Sequence, residues 1–281
     1  MGTIKRDTLL ANCRIRSESS RGAVGGSGTV IYSKPNSKGD YSSYILTNYH
    51  VVENNIKIET KWNPMLKRDI KADVSGLVEV HFFKYLYQSR AVGATVIEAD
   101  ILTYDVDEHL ALLRLRDTTP TPSVATLFAK GEEHKLLIGM SVLAIGAGLG
   151  EPPIVTSGRL AQFAREIDNK EFWISTAPTI FGNSGGAVYL EDTGEFIGVP
   201  SRIAVILLGF APNAIPHLSF ITPITRVYKF LDDQLFRFIY NPAFTEDDEA
   251  ALREQKRKEE ERKVLAIIGD TSTSSSREER P

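Results

Sequence analysis

From Thr8 to about Tyr240 the chain is a succession of short segments rich in Val, Ile, Leu, Phe and Tyr, each broken after a few residues by Gly, Pro, Asn, Asp or Ser. Short runs of β-branched and aromatic residues bounded by turn formers read as strands. They include Gly28 to Tyr32, Tyr44 to Thr47, Ile56 to Thr60, Leu77 to Phe82, Ala94 to Leu102, Leu110 to Leu115, Ser141 to Ile145, Ala187 to Leu190, Phe196 to Val199 and Leu218 to Thr222. A parallel sheet needs a helix between successive strands, and no such alternation occurs, so the pattern predicts an all-β barrel or sandwich. The stretch Arg116 to Pro122, RDTTPTP, is polar and proline-rich near the middle of this region and is the expected linker between two β units. After the last strand, ITRVYKFLDDQLFRFIY spaces Val227, Phe230, Leu231, Leu235 and Phe238 along one face of a helix expected to dock on the β core.

Of the 281 residues 42% are hydrophobic, which excludes global disorder and is enough for one large core or two smaller ones. The formal net charge of -3 provides no overall basic field, so neither nucleic acid nor an acidic membrane is an expected partner. The longest apolar run, Ile203 to Ala211, is far short of the roughly 20 residues of a membrane span. Cys13 is the single cysteine, so no intrachain disulfide forms. The opening MGTIKRDTLLANCRIR has no continuous apolar stretch followed by a small-residue cleavage site. Together these two features predict a cytoplasmic or otherwise intracellular protein.

Beyond Tyr240 the composition changes. Thr245 with Asp248 resembles a capping box, and Glu249/Arg253, Glu254/Lys258 and Glu259/Lys263 are i,i+4 pairs in the favourable order. A charged helix from Thr245 to about Ile268 is expected, stopping at Gly269 before a disordered TSTSSSREERP tail. No apolar residue occurs between Arg253 and Lys263, so a solvated single helix is favoured over a coiled coil. Its apolar end, Val264 to Ile268, offers a place for self-association or partner docking through 245–268.

Two motifs carry chemistry. In GNSGG, Gly182 to Gly186, a serine sits in a turn where flanking glycines let backbone N–H groups converge on one point, as an oxyanion requires. In YILTNYHVV, Tyr44 to Val52, His50 ends an apolar strand, where its imidazole can act as general base toward a serine from the other half of the chain. Gly25 to Gly28 lacks a following GK[ST] and precedes a strand, so it is not a phosphate loop. His81, His134 and His217 are widely separated and have no cysteine partners, so no metal site is expected.

With GSGTVI, ILTNYHVV, HLALLRL, IVTSGRL, GNSGGAVY and HLSFITPI in this order, the chain resembles the trypsin-like, chymotrypsin-fold serine peptidases, the HtrA type in particular. The resemblance implies two six-stranded antiparallel β-barrels with a cleft between them. It divides the chain into an N-terminal barrel carrying His50 (1–118), a C-terminal barrel carrying Ser184 with its docked helix (119–240), and a charged helix and tail (241–281). It further implies a peptidase acting on protein or peptide substrates without a cofactor, with Ser184 as nucleophile, His50 as general base and the N–H groups of Gly182 and Ser184 as oxyanion hole. The specificity pocket is expected around Gly198 to Arg202, with Pro178 and His217 shaping its base. No carboxylate is found there, so small or medium apolar side chains are the expected preference, with a polar or acidic side chain received by His217 as the alternative. The residues after Tyr240 are too few and too charged for the PDZ domain that HtrA-type proteins usually carry.

At one position the chain departs from the family. The orienting aspartate normally stands immediately before the LALL-type strand, and here that place is taken by His109. Replacing this carboxylate by an amide in a well-characterised serine protease lowers turnover about 10⁴-fold. Either His109 orients His50 through a ring-to-ring hydrogen bond, or Asp107, about 6.6 Å further along an extended chain, is brought in by a bulge. The third alternative is a slow or inactive relative that keeps the scaffold. Asp105 and Glu108 are weaker candidates for the same role.

Overall fold

A computed structural model describes residues 6–19, 22–63, 68–87, 90–208 and 211–274. The chain divides into two compact units: Met1–Lys57 with Val74–Phe230, and Ile58–Asp73 with Leu231–Pro281.

In the first unit a short helix α1 (Arg6–Leu10) leads into β1 (Asn12–Ser19), β2 (Gly22–Pro35) and β3 (Tyr41–Asn48), then a single helical turn α2 (Tyr49–Val52). In sequence a two-stranded ribbon, β4 (Ile56–Asn63) and β5 (Arg68–Ser75), most of it in the second unit, comes next, and the first unit resumes with β6 (Leu77–Leu86), β7 (Arg90–Asp105) and β8 (Leu110–Leu115). Six of these strands close a barrel in the order β1-β2-β3-β8-β7-β6, with β1 pairing β6. Its interior is filled by Ile15, Val30, Ile45, Val80, Leu113 and their neighbours, all buried. Alternate residues of a strand face opposite ways, yet Leu110, Ala111, Leu112 and Leu113 are all fully buried. Strand β8 is therefore covered on both faces, which is why LALL reads as a continuous apolar run rather than an alternation.

Residues 116–125, including the proline-rich stretch, run without strand or helix to β9 (Thr126–Leu127). Then come β10 (Ser141–Gly146), β11 (Ile154–Ile167), β12 (Lys170–Ser175), β13 (Ala187–Leu190), β14 (Glu195–Leu208) and β15 (Ala211–Pro223). They run in the order β13-β10-β11-β12-β15-β14, and pairing of β13 with β14 closes six strands on themselves. Strand β9 adds a short parallel edge to β14. The expected all-β architecture of two six-stranded antiparallel barrels thus holds. Closure also answers the edge problem, since a closed barrel leaves no long row of unpaired backbone groups.

The helix α3 (Ile224–Asp233) buries Ile224, Val227, Tyr228 and Phe230. It is shorter than its apolar spacing predicted. Leu235 adopts a left-handed φ of 58°, and Arg237–Ile239 form a separate 3-10 turn in the second unit. The charged helix α4 (Glu246–Ser274) begins where expected, with the Thr245 hydroxyl accepting the Asp248 N–H at 3.1 Å. It continues past Gly269 instead of stopping there. Of the anticipated pairs, Glu254 meets Lys258 at 3.4 Å, whereas Glu249 is fully buried and holds Arg237 and the Phe238 N–H. The side chains of Val264 to Ile268 and the last seven residues of the tail lie outside the described residues.

One buried ion pair ties α3 to the turn before β8. Glu108, 4% exposed, accepts a 2.6 Å hydrogen bond from Arg226 Nε. The same guanidinium donates to the carbonyls of Glu108, Asp107 and Glu171. Burial alone would raise the Glu108 carboxyl, but hydrogen bonds from Arg226 and Lys229 outweigh it and hold the group below its ordinary value. Removing one partner of such a pair strands the other charge. The expectation for Arg226→Ala is a loss of about 3 kcal/mol in chemical denaturation, at the low end of the range because Lys229 and Lys170 also approach Glu108. A loss under about 1 kcal/mol would show that the pair does not hold the turn.

Candidate active site

Ser184 and His50 come from different barrels and line one cleft of about 370 Å³, together with Thr179, Ile180, Phe181, Asn183 and Pro200 to Ile203. His50 lies in α2, directly after β3. The preceding Asn48 sends its side-chain amide to the carbonyl of His109 at 3.0 Å and to the Ser201 hydroxyl at 3.0 Å. The backbone N–H of Tyr49 donates to the same His109 carbonyl at 3.1 Å. The loop bearing His50 and the turn bearing His109 are thereby fixed to each other through backbone groups.

The serine turn is built by close approach. Gly182 has φ +99°, and a Cβ there would lie 2.5 Å from the Ala147 carbonyl oxygen. Gly185 has φ +83°, and a Cβ there would lie 2.3 Å from the Ser27 carbonyl oxygen. Both positions need glycine because the backbone is left-handed and a neighbouring chain occupies the space of a side chain. The neighbour is Ser27 of GSGTVI. Its N–H donates to the Ser184 carbonyl at 2.8 Å, and its hydroxyl donates to the Gly182 carbonyl at 2.7 Å. That hydroxyl accepts the Ala147 N–H at 2.7 Å, and the Ser27 carbonyl accepts from the Thr47 hydroxyl at 2.7 Å. The N–H groups of Gly182 and Ser184 make no hydrogen bond among the described residues. No hydrogen bond joins Ser184 to His50 among the described residues.

His109 is in contact with His50: Nδ1 of His50 and Nε2 of His109 are 2.6 Å apart, and the rings lie 4.8 Å apart at 24°. His109 adopts φ +60°, a left-handed conformation that His tolerates better than bulkier side chains. Asp107 is exposed, and its backbone carbonyl rather than its carboxylate is engaged by Arg226. Asp105 accepts the Glu108 N–H, and Glu108 is committed to Arg226. Burial, then the charge of Arg202, lowers the His50 pKa from its ordinary value. Burial, then His50, Arg202 and Arg226, lowers His109 to about 4. Both rings are therefore neutral near pH 7, so one must donate and the other accept across the 2.6 Å contact.

The residues expected to form the specificity pocket divide. The strand around Gly198 to Arg202 does supply one wall, but through Pro200, Ser201, Arg202 and Ile203. Gly198 is enclosed by Ile221 and Thr222, while Pro178 and His217 are exposed and none of the three lines the cleft. Ser201 and Asn48 had no separate signal in the sequence. Their hydrogen bond crosses 153 positions of chain, and neither forms a motif alone.

The trypsin-like peptidase domain model matches residues 26–199, and the chain belongs to that family. The periplasmic pH-dependent serine endoprotease DegQ of Escherichia coli (strain K12) is 29% identical over 182 residues, covering 63% of this chain and 31% of its own length. A probable periplasmic serine endoprotease DegP-like protein of Pseudomonas fulva is 32% identical over 132 residues, 46% of this chain and 25% of its own. Protease Do-like 1, chloroplastic, of Arabidopsis thaliana is 30% identical over 152 residues, 51% and 32% of the two chains. The chain thus spans about a third or less of these relatives. Among solved structures, the HtrA-type protease AlgW with tripeptide superposes with a TM-score of 0.58 at 18% identity, over 83% of this chain and 62% of that one. The serine endoprotease from Yersinia pestis gives 0.53 at 23% identity, over 83% and 65%.

These relatives overturn the expectation of a cytoplasmic or otherwise intracellular protein, because the bacterial ones are described as periplasmic. The single buried Cys13 carried no information on compartment. A fold closed by strand pairing and packing needs no disulfide, and so is as compatible with an oxidising compartment as with a reducing one.

A pH dependence follows from the two lowered imidazoles. In the unfolded chain each titrates near its ordinary value of about 6.5. Between there and about 4 the unfolded state binds more protons than the folded one, so stability falls as pH is lowered through this window. The melting temperature is expected to drop between pH 7 and pH 4 more steeply for the parent than for His109→Gln. Superimposable pH slopes for the two proteins would contradict the assignment of a neutral, proton-excluding His109.

Proposed function

We propose that the protein is a serine endopeptidase in which Ser184 attacks the peptide carbonyl, His50 accepts the Ser184 proton and returns it to the leaving amine, and water releases the acyl enzyme. The N–H groups of Gly182 and Ser184 bind the oxyanion. The observation that carries this reading is the shared cleft, lined by a histidine from one barrel and a serine from the other, with the N–H groups of Ser184 and of nearby Gly182 uncommitted among the described residues. The apolar Ile180, Phe181, Pro200 and Ile203 in the same cleft suit an apolar side chain next to the scissile bond of a protein or peptide substrate. The descriptions of the bacterial relatives support a location outside the cytoplasm.

His109 serves as the positioning residue. When His50 Nδ1–H donates to His109 Nε2, the lone pair of His50 Nε2 faces the cleft and can accept a proton. The reverse polarity places a hydrogen on that nitrogen and is unproductive. If the two arrangements were equal in energy, this ambiguity would cost only about twofold. The larger handicap is charge: a neutral ring stabilises the imidazolium less than a carboxylate, whose loss costs up to about 10⁴-fold. That handicap favours a second reading, a protease-fold scaffold with hydrolysis reduced or lost, docking through 245–268.

Labelling with a fluorophosphonate probe separates the readings. The parent is expected to label and Ser184→Ala not to. His109→Ala should label at least about tenfold more slowly, and Asp107→Asn at the parental rate. His109→Asp, which restores a carboxylate at a position whose backbone Asp tolerates, should label faster than the parent. A parent that does not label leaves only the scaffold reading. Loss of labelling in Asp107→Asn would transfer the orienting role from His109 to Asp107.

A further inference from the structure

We propose that Arg202 is a specificity-determining residue of the Ser184 cleft, and that the peptides it selects carry a carboxylate side chain close to the scissile bond. The inference rests on the peptidase reading and adds a substrate class to it. Arg202 is the one permanently charged side chain among the described residues lining the cleft, which otherwise presents hydroxyls, an amide, imidazole and apolar groups. No lining residue supplies a carboxylate to neutralise it.

Two contacts hold the guanidinium. It stacks over the Phe172 ring at 5.2 Å, and Nη1 meets Asp168 at 2.9 Å. Asp168 sits with Asn169 on the two-residue turn joining β11 to β12 and is 73% exposed. Exposed pairs of this kind contribute little, because water and salt screen them. A substrate carboxylate can therefore replace Asp168 or share the guanidinium with it, since the guanidinium fork donates to two oxygens at once.

The effect should reach the chemistry as well as binding. The charge of Arg202 acts on both His50 and His109 and opposes protonation of either. His50 must take up a proton as the acyl enzyme forms, and position 109 holds no carboxylate to offset Arg202. A substrate carboxylate paired with Arg202 cancels part of that field, so an acidic substrate should gain in kcat and not in KM alone.

The test uses a neutral peptide with Gln placed in turn at each position flanking the scissile bond, compared with Glu at the same position. Cleavage by the parent gives kcat and KM, and fluorescence anisotropy with the Ser184→Ala protein gives the affinity of the uncleaved peptides. At one position Glu is expected to exceed Gln by about fivefold or more in kcat/KM, with kcat raised, the upper reach of a partly exposed ion pair. Arg202→Gln should reduce the preference below about twofold, Arg202→Lys should keep part of it, and Asp168→Asn should increase it. Cleavage of Gln and Glu peptides at equal rates at every position, or a preference that survives Arg202→Gln, overturns the inference while leaving the peptidase reading intact. If no peptide is cleaved, the peptidase reading fails separately. Binding to Ser184→Ala still decides then, because equal or undetectable affinities overturn the role of Arg202.

Discussion

Ser27 is the point on which the site depends. It is fully buried in β2 of the first barrel, and its N–H, hydroxyl and carbonyl are all engaged, two of them with carbonyls of the serine turn in the second barrel. A buried polar group left without a partner costs about 1–3 kcal/mol, so the turn cannot rotate its peptide groups away without losing several bonds at once. The peptide groups that carry the Gly182 and Ser184 N–H groups are held through their own carbonyls, Phe181 O accepting from the Leu149 N–H at 2.7 Å and Asn183 O from the Gly186 N–H at 3.0 Å. The glycine at 185 follows from the Ser27 contact, because the Ser27 carbonyl oxygen stands where its side chain would be. One serine in the first barrel thus joins the two barrels at the serine turn.

The other half of the site is governed by how charge is distributed around two neutral rings. Arg226 and Glu108 neutralise each other beneath the His109 turn, so the carboxylate nearest in sequence to His109 is spent on structure. Burial first, and then neighbouring positive charge, that of Arg202 on both rings and of Arg226 on His109, pushes both imidazoles toward their neutral forms. Two imidazoles in such surroundings stay unprotonated to lower pH than an ordinary histidine, and an imidazolium formed there meets little compensating charge.

Much of the architecture was legible from chain chemistry. Strand segments such as Leu110 to Leu115 and Ala187 to Leu190 were delimited by their turn residues, and their observed bounds agree. The Thr245 cap also formed, since capping involves groups three residues apart. Legibility ended where longer-range contacts decide. The apolar face of ITRVYKFLDDQLFRFIY implied one helix, yet the chain leaves it at Asp233 and turns through Leu235. Glu249, expected to pair with Arg253 along the helix, was claimed instead by Arg237 and the Phe238 N–H.

The sequence by itself determined the all-β class, the two closed barrels implied by the resemblance, and the residue types at positions 50, 109 and 184, because strand periodicity and motif spacing are local properties of the chain. Only the tertiary structure decided that the 109 ring meets the 50 ring at 2.6 Å while Asp107 faces water, and that Arg202 rather than His217 lines the cleft. The reason is geometric. A left-handed backbone at His109 and the closing of β14 against β13 and β15 set where those side chains project, and both depend on groups far apart in the chain.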